Sequence, residues 1–152
     1  MIPTYAASTL GSALSDFAIP EGDDKIIVSI HAYMPYAFAL GGDPNDREFT
    51  PDQGSASEIL DLMDKLKTNF TDKGIPVMIG EFGAQNKNNV SIRAKWASYY
   101  IGKAKELGIP CIWFDNGAFD GDGEKFGFLD REKNKFQYNE LIFSIMETIN
   151  AS

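Results

Sequence analysis

Short apolar runs alternate with longer segments of mixed polarity along this chain. A parallel strand that is covered on both faces reads as a continuous apolar run rich in β-branched residues. Four runs have this character, and each is expected to form one strand of a shared sheet. The predicted strands are Ile2–Tyr5, Lys25–His31, Ile75–Glu81 and Ile109–Phe114.

Most of the sequence between these runs has helical periodicity. In one segment Ser55 and Glu58 match the spacing of a capping box, and apolar residues then recur every three or four positions. Gly108 follows another such segment and is a common helix stop. The predicted helices lie around Thr9–Phe17 and at Ser55–Phe70, Val90–Leu107 and Gln137–Ile149.

The alternation of strands and helices predicts an α/β fold with a parallel sheet. One phrase, a helix exit followed by Gly-Ile-Pro and a strand, occurs at Lys73–Val77 and again at Leu107–Cys111. This repetition of a βα unit favours a barrel-type arrangement over an irregular fold. With 152 residues and no visible linker, residues 1–152 are expected to form a single domain.

Residues 32–53 are predicted to form a long loop between the second strand and the second helix. Loops of more than about 12–15 residues in compact domains are usually functional, so this one is a candidate binding loop. It contains four aromatic residues, Tyr33, Tyr36, Phe38 and Phe49.

Charge and residue counts exclude several classes of function. A net charge of −8 and a pI near 4.6 argue against nucleic acid or an anionic membrane as a partner. One histidine, His31, and one cysteine, Cys111, cannot form a multi-histidine site, a thiolate metal site or an internal disulfide. No stretch has the length of a membrane span, and no signal-peptide pattern opens the chain. We therefore expect no metal, no cofactor, no nucleic acid and no membrane.

Polar and aromatic side chains stand where three of the predicted strands end. They are His31 with Tyr33, Glu81, and Trp113 with Asp115 and Asn116. The carboxyl ends of parallel strands meet at one rim, where active sites of α/β folds are built. A carboxylate, an imidazole, a phenol and an indole on one rim suit a site that cleaves sugars.

Each of these residues also has an ordinary structural interpretation. His31 can be a hydrogen-bonded structural histidine, Trp113 can be a core residue, and Glu81 can pair with a neighbouring cation. An open flavodoxin-like sheet that binds phosphate is a weaker alternative, because the glycine-rich segment Gly121–Glu124 carries acids where phosphate needs to bind.

Several motifs in this order resemble glycoside hydrolase family 5, and most of all its bacterial endoglucanase and xyloglucanase branch. The resemblance covers essentially the whole chain. The matching segments are Pro3–Ser8, Ile30–Leu40 (I-H-A-Y-M-P-Y-A-F-A-L), Ile79–Gly83 (I-G-E-F-G), Trp113–Gly117 (W-F-D-N-G) and Phe126–Arg131.

The resemblance implies a retaining hydrolase of β-1,4-glucan or xyloglucan on a (β/α)8 (TIM) barrel, without a metal. It makes Glu81 the nucleophile, and His31 and Tyr33 its hydrogen-bonding partners. Trp113 would be the sugar platform, with Tyr36 and Asn116 as further substrate-binding residues. Phe114 stands where many relatives have a second tryptophan.

The chain departs from the family in one respect that matters for catalysis. The family's acid/base glutamate ends barrel strand four, and this sequence resembles only barrel units five to eight. Glu21 and Glu140 do not have the context of a strand-end acid. The expected fold is therefore half of a TIM barrel, and the chain alone is expected to hydrolyse glycosides weakly or not at all. The alternative is a half-barrel that binds carbohydrate without catalysis.

A half-barrel has two open strand edges, and open edges invite pairing. We expect it to close either as a homodimer or with a complementing N-terminal half-barrel. The polysaccharide substrate implied by the family predicts an extracellular parent enzyme.

Overall fold

The computed structural model of the protein describes residues 1–20 and 25–151. The predicted strand Lys25–His31 corresponds to the second strand of the structure. Four parallel strands form one sheet in the order β1-β2-β3-β4. A separate antiparallel hairpin, β5-β6, lies late in the chain. The strands are β1 Ile2–Pro3, β2 Val28–His31, β3 Val77–Phe82, β4 Cys111–Trp113, β5 Leu129–Asp130 and β6 Lys135–Phe136.

Five α-helices in the described part of the chain connect and cover these strands. Three short 3-10 turns, at Tyr5–Ala7, Pro51–Gln53 and Thr71–Lys73, occur in the connections. The helices are α1 Gly11–Ser15, α2 Tyr36–Ala39, α3 Ser57–Asn69, α4 Val90–Glu106 and α5 Asn139–Asn150.

The four parallel βα units predicted from the sequence are confirmed, although each strand is shorter than its apolar run. Gly74 and Gly108 adopt left-handed φ values of 70° and 69°, and β3 and β4 each begin three residues later. The Ile-Pro pair that follows each glycine therefore lies in the connection before the strand.

Two features were not predicted: α2 inside the long loop, and the β5-β6 hairpin. Glu21 lies outside the described residues.

The predicted capping box of the second helix is wrong. Helix α3 begins at Ser57, two residues after Ser55, and its N-cap Ala56 makes no side-chain cap. Glu58 is therefore not placed to reach back to Ser55. Its carboxylate instead accepts a hydrogen bond of 3.1 Å from the backbone N–H of Tyr36, at the start of α2.

The hydrophobic core lies between the sheet and the helices. Alternate residues of β2 and β3 are almost wholly buried, and they face the apolar sides of α3 and α4. The terminal helix α5 packs mainly on α4. Core residues include Val28, Ile30, Val77, Ile79, Ile59, Leu62, Leu66, Trp96 and Tyr100. No helix among residues 1–20 and 25–151 combines the length and the apolar character that a bilayer crossing requires.

A register shift between β2 and β3 gives the end of the sheet its shape. Ile30 pairs with Ile79, but the next residue, His31, pairs with Glu81, so that Gly80 is skipped. A Cβ atom at position 80 would lie 2.5 Å from Ser29 Oγ, so any side chain there would force the buried serine hydroxyl to move. Glycine at position 80 therefore permits the bulge that brings Glu81 level with His31.

This contact predicts the effect of adding one methyl group at the bulge. Gly80→Ala should lower the free energy of unfolding by about 1–3 kcal/mol, a cost typical of overpacking. Adding Ser29→Ala to Gly80→Ala should recover much of the loss, because it removes the atom that the new methyl meets. Urea denaturation of the two single variants and the double variant measures this coupling. Gly11→Ala is the matched control, since no atom lies within 4 Å of its Cβ position. Strict additivity of Gly80→Ala and Ser29→Ala would contradict the explanation.

Candidate active site

The carboxylate of Glu81 lies at the end of β3 and is held by two residues from the β2 side of the sheet. The hydroxyl of Tyr33 donates a hydrogen bond of 3.0 Å to Glu81 Oε2. Nδ1 of His31 lies 3.2 Å from the same oxygen. Both contacts fall on Oε2, and within residues 1–20 and 25–151 the structure gives Oε1 no hydrogen-bond partner. About a third of the Glu81 side chain is exposed, so a ligand can reach it.

Tyr33 is held in its protonated, hydrogen-donating form. Burial raises the pKa of its phenol well above the ordinary value, and the hydrogen bond to Glu81 and the negative charges of Glu81 and Glu124 add to the effect. A phenol with a raised pKa remains a donor across the neutral and mildly alkaline range. The negative charge of Glu124, on the loop after β4, therefore acts on Tyr33. The sequence analysis did not predict a role for Glu124 at this site.

Aromatic rings form one wall beside this carboxylate. The Tyr33 ring lies 5.5 Å from Phe126 and 6.4 Å from Phe114, measured between ring centroids. Phe114 and Phe126 also contact each other, at 5.5 Å. Gly83, two residues after Glu81, leaves room for this wall, because a Cβ there would lie 3.1 Å from Phe126.

The ring contacts of Trp113 are with residues outside the group of Glu81, Tyr33 and His31. Trp113 pairs in register with Phe82, and its ring contacts Phe82 at 5.4 Å and Trp96 of α4 at 6.1 Å. Its indole N–H donates to the carbonyl oxygen of Phe126, at 3.1 Å. Successive side chains of a strand point to opposite faces, so Phe114 takes the side of Tyr33 while Trp113 takes the helix side. The role of Trp113 as a sugar platform stays a prediction, and its position does not favour it.

Arg93 of α4 packs against the indole ring of Trp113. Arg93 is fully buried, and its guanidinium lies 5.7 Å from the Trp113 ring and 5.3 Å from the Tyr138 ring. Its Nε donates to the carbonyl oxygen of Ala84, while Nη1 and Nη2 have no hydrogen-bond partner among the residues that the structure describes. Burial lowers the pKa of Arg93 to about 10. The sequence analysis did not identify Arg93. Arg93 stands three positions before the core residue Trp96, and residues at this spacing share one face of a helix, which could have indicated that Arg93 is buried.

Residues 84–89, between β3 and α4, bind the long loop to the site. The amine of Lys87 donates to the carbonyl oxygens of Ala37 and Asp46, at 2.7 and 3.1 Å. Burial lowers the pKa of this amine. Further hydrogen bonds run from Gln85 to Leu40 and from Asn89 to Arg47. The candidate binding loop is therefore ordered by the segment that directly follows the strand of Glu81.

The other two predicted substrate-binding residues have different surroundings. Tyr36 lies on α2 with more than half of its side chain exposed, and no described contact joins its ring to Glu81. Asn116 shapes the loop after β4: its Oδ1 accepts from the backbone N–H groups of Ala118 and Phe126, and its Nδ2 donates to the carbonyl oxygen of Glu124. Asn116 thus supports the aromatic wall through Phe126.

In the part of the chain that the structure describes, no metal site occurs, and the carboxylate that Tyr33 and His31 contact is Glu81, while Glu124 acts on Tyr33 through its charge. No cluster of three His, Cys, Asp or Glu side chains occurs there. Glu140, at the start of α5, accepts a hydrogen bond from Ser91 of α4. Asp115 is occupied by the backbone N–H groups of Gly117 and Leu129 and by Arg131.

Comparison with known proteins finds similarity along the whole chain. Endoglucanase B of Neocallimastix patriciarum is 44% identical over 152 residues, which are 100% of this chain and 32% of that protein. Endoglucanase A of Ruminococcus albus is 48% identical over 133 residues, 86% of this chain and 36% of that protein. The chain thus spans about a third of the length of the curated relatives it matches.

Solved structures give the same result for the fold. A broad-specificity endoglucanase of family 5, subfamily 4, from Clostridium cellulovorans superposes with a TM-score of 0.90 at 36% identity, over 97% of this chain and 43% of that one. A family 5 lichenase from Caldicellulosiruptor sp. F32, a mutant in complex with cellotetraose, superposes with a TM-score of 0.88 at 43% identity, over 97% and 42%. The four parallel βα units therefore match part of a (β/α)8 barrel. Residues 1–120 match the family model Cellulase (glycosyl hydrolase family 5), and the chain belongs to this family.

Proposed function

We propose that this chain is the nucleophile-bearing half, units five to eight, of a retaining endo-β-1,4-glucanase barrel, with β-1,4-glucan or xyloglucan as substrate. The observation that carries the proposal is the geometry at Glu81, where Tyr33 and His31 hold one carboxylate oxygen and the other has no hydrogen-bond partner among residues 1–20 and 25–151. A nucleophile that forms a glycosyl intermediate needs this arrangement, with a fixed orientation and one oxygen open to the sugar.

In the proposed reaction, Glu81 Oε1 attacks the anomeric carbon as the bond to the leaving sugar breaks. Tyr33 and His31 hold Oε2 and thereby fix the direction of attack. The departing oxygen takes a proton from a general acid, which in retaining enzymes is a second carboxyl about 5–5.5 Å from the nucleophile. Water, activated by the conjugate base of that acid, then releases the sugar from Glu81.

In the family that the chain resembles, the second carboxyl is a glutamate at the end of barrel strand four, whereas the matched segments here correspond to units five to eight. We propose that a further four-stranded βα unit closes the sheet, as a second copy of the chain or as a complementing N-terminal half-barrel. A polysaccharide is too large to cross a membrane, so we place the parent enzyme outside the cell. The cellotetraose named for the related lichenase supports a β-glucan ligand.

For the sugar platform we propose Phe114 rather than Trp113. Phe114 and Trp113 are both partly exposed, but Phe114 contacts Tyr33, which binds Glu81. The Trp113 ring is packed against Phe82 and Arg93. Sugar rings stack on aromatic faces, so the ring that contacts the partner of the nucleophile is the better candidate.

A second candidate function does not require the acid/base carboxyl. A half-barrel that retains Glu81, Tyr33 and the aromatic wall can bind a glucan chain without cleaving it. The two functions differ in the covalent step, which can be tested directly.

An activated aryl β-cellobioside separates these candidates, because its leaving group departs without protonation. If Glu81 is the nucleophile, intact-protein mass spectrometry should find a cellobiosyl adduct, and peptide mapping should place it on Glu81. Glu81→Gln should form no adduct. On unactivated cellotetraose the turnover should fall about 10²–10⁴-fold below that of an intact family member, the usual worth of acid–base assistance.

Three results of this experiment would argue against the proposal. Absence of an adduct, together with measurable cellotetraose binding, would favour the non-catalytic function. Turnover of cellotetraose at the rate of an intact family member would show that an acid is present. Absence of both binding and adduct would remove the sugar site altogether.

Phe114→Ala should weaken binding of cellotetraose about tenfold, equivalent to 1.4 kcal/mol, since it removes the proposed stacking face. Isothermal titration calorimetry measures the effect. Phe143→Ala is the matched control, because Phe143 is 65% exposed on α5 and makes no contact with the Glu81 group. Equal affinities for the Phe114 and Phe143 variants would exclude Phe114 as the platform.

Tyr33→Phe should change the pH dependence of stability. The pKa of Tyr33 is raised in the folded protein, first by burial and then by Glu81, above the unfolded value of about 10. The folded state therefore holds the phenol proton more tightly, and the stability that this confers is fully present below about pH 10 and lost as the pH rises further. The difference in unfolding free energy between wild type and Tyr33→Phe, measured in urea from about pH 7 to 11, should be constant at first and then shrink. Tyr5→Phe, at a side chain 86% exposed, should show no such trend.

A further inference from the structure

Arg93 is a buried cation for which the proposed reaction has no direct use. Its side chain is wholly buried, and its Nη1 and Nη2 atoms have no hydrogen-bond partner among residues 1–20 and 25–151. Its polar contacts are one hydrogen bond, from Nε to the carbonyl oxygen of Ala84, and the faces of two aromatic rings. Burying a charge is costly, and an apolar side chain of similar volume is often as stable or more stable in its place. The free energy of folding therefore does not explain why an arginine occupies this position.

The contacts of Arg93 lie on the elements that carry the site. Ala84 stands just after β3 and three residues after Glu81. The guanidinium lies 5.7 Å from the ring of Trp113, at the end of β4. It lies 5.3 Å from the ring of Tyr138, directly before α5. Arg93 thus joins the ends of the two strands that carry the nucleophile and the aromatic wall.

A series of contacts leads from Arg93 to the phenol that holds Glu81. The indole N–H of Trp113 donates to the carbonyl oxygen of Phe126, at 3.1 Å. The Phe126 ring lies 5.5 Å from the Tyr33 ring, and the Tyr33 hydroxyl donates to Glu81 Oε2 at 3.0 Å. Phe126 is wholly buried, and close-packed interiors transmit displacements. A shift of the Trp113 indole therefore moves Tyr33 as well.

We propose that Arg93 is a positioning residue for Glu81 and is present for reactivity, not for stability. It fixes the Trp113 indole, which through Phe126 fixes the phenol of Tyr33. That phenol sets the direction in which the carboxylate of Glu81 meets a sugar. Misplacing a reacting group by about 1 Å can cost about 10²-fold in rate, so a distant contact of this kind matters. This role rests on the proposed function, in which Glu81 is the nucleophile.

The test compares the reactivity of Glu81 with the stability of the fold. In Arg93→Met, the maximal rate of adduct formation from the activated aryl β-cellobioside should fall about tenfold, because the carboxylate is less well oriented. The substrate concentration that gives half of this rate should stay within about twofold of the wild-type value. The midpoint of urea unfolding should equal or exceed that of wild type. Lys95→Met, at an exposed position on α4, is the matched control and should change none of the three quantities.

Two further variants test the route through Tyr33. Adding Arg93→Met to Tyr33→Phe should lower the rate no further than Tyr33→Phe alone, because the second step of the route is already lost. Trp113→Phe removes the N–H that binds Phe126 and should reproduce the loss of rate. Carbon NMR of protein labelled at the phenolic carbon of tyrosine should show a shifted Tyr33 resonance in Arg93→Met and in Trp113→Phe. This resonance is assigned by its absence from Tyr33→Phe.

Several results would overturn the role of Arg93. A wild-type rate in Arg93→Met would do so, and so would a change in the half-saturating concentration alone. A lowered urea midpoint, or failure of Arg93→Met to fold, would assign the residue to stability. Additive losses in the double variant, or an unshifted Tyr33 resonance, would exclude the route. If wild type forms no adduct, the proposed function fails and this role with it, whereas a wild-type adduct with an unaffected Arg93 variant overturns this role alone.

Discussion

The register shift between β2 and β3 is the constraint on which the site depends. Without it, His31 would face Gly80, and the carboxylate of Glu81 would not lie within hydrogen-bond reach of the imidazole. Glycine at position 80 fits this register without displacing the Ser29 hydroxyl. Gly80 thus links the pairing of β2 and β3 to the orientation of Glu81. Among the described residues, Glu81 is the only carboxylate on this rim that two neighbouring side chains hold.

A second layer of interactions keeps this rim rigid. Lys87 binds carbonyl groups of the long loop, and Arg93 joins the segment after β3 to Trp113 and Tyr138. Both cations are buried, and burial lowers the pKa of each. Burying a cation is costly unless backbone carbonyls or aromatic faces replace its water. These two side chains therefore tie the loops around Glu81 to the core.

The sequence was sufficient to predict the four βα units and the grouping of His31, Tyr33 and Glu81, since both follow from apolar runs with polar ends. It was not sufficient to choose between Trp113 and Phe114. Adjacent residues of a strand point to opposite faces, and a bulge reverses which of them faces the site. The register is decided by contacts between strands that are distant in sequence. The contacts of Arg93 and Lys87 were missed for the same reason, because their partners lie on other elements.

The strand order places the site next to the rest of a barrel. The four described strands form one sheet in the order β1-β2-β3-β4, and they match part of a (β/α)8 barrel. In the family that the chain resembles, the acid/base glutamate ends barrel strand four, and β1 corresponds to barrel strand five. Consecutive barrel strands pair, so a strand four that paired with β1 would bring the acid to the same rim as Glu81. The residues that hold Glu81 and the acid that acts with it would then be positioned by one continuous sheet.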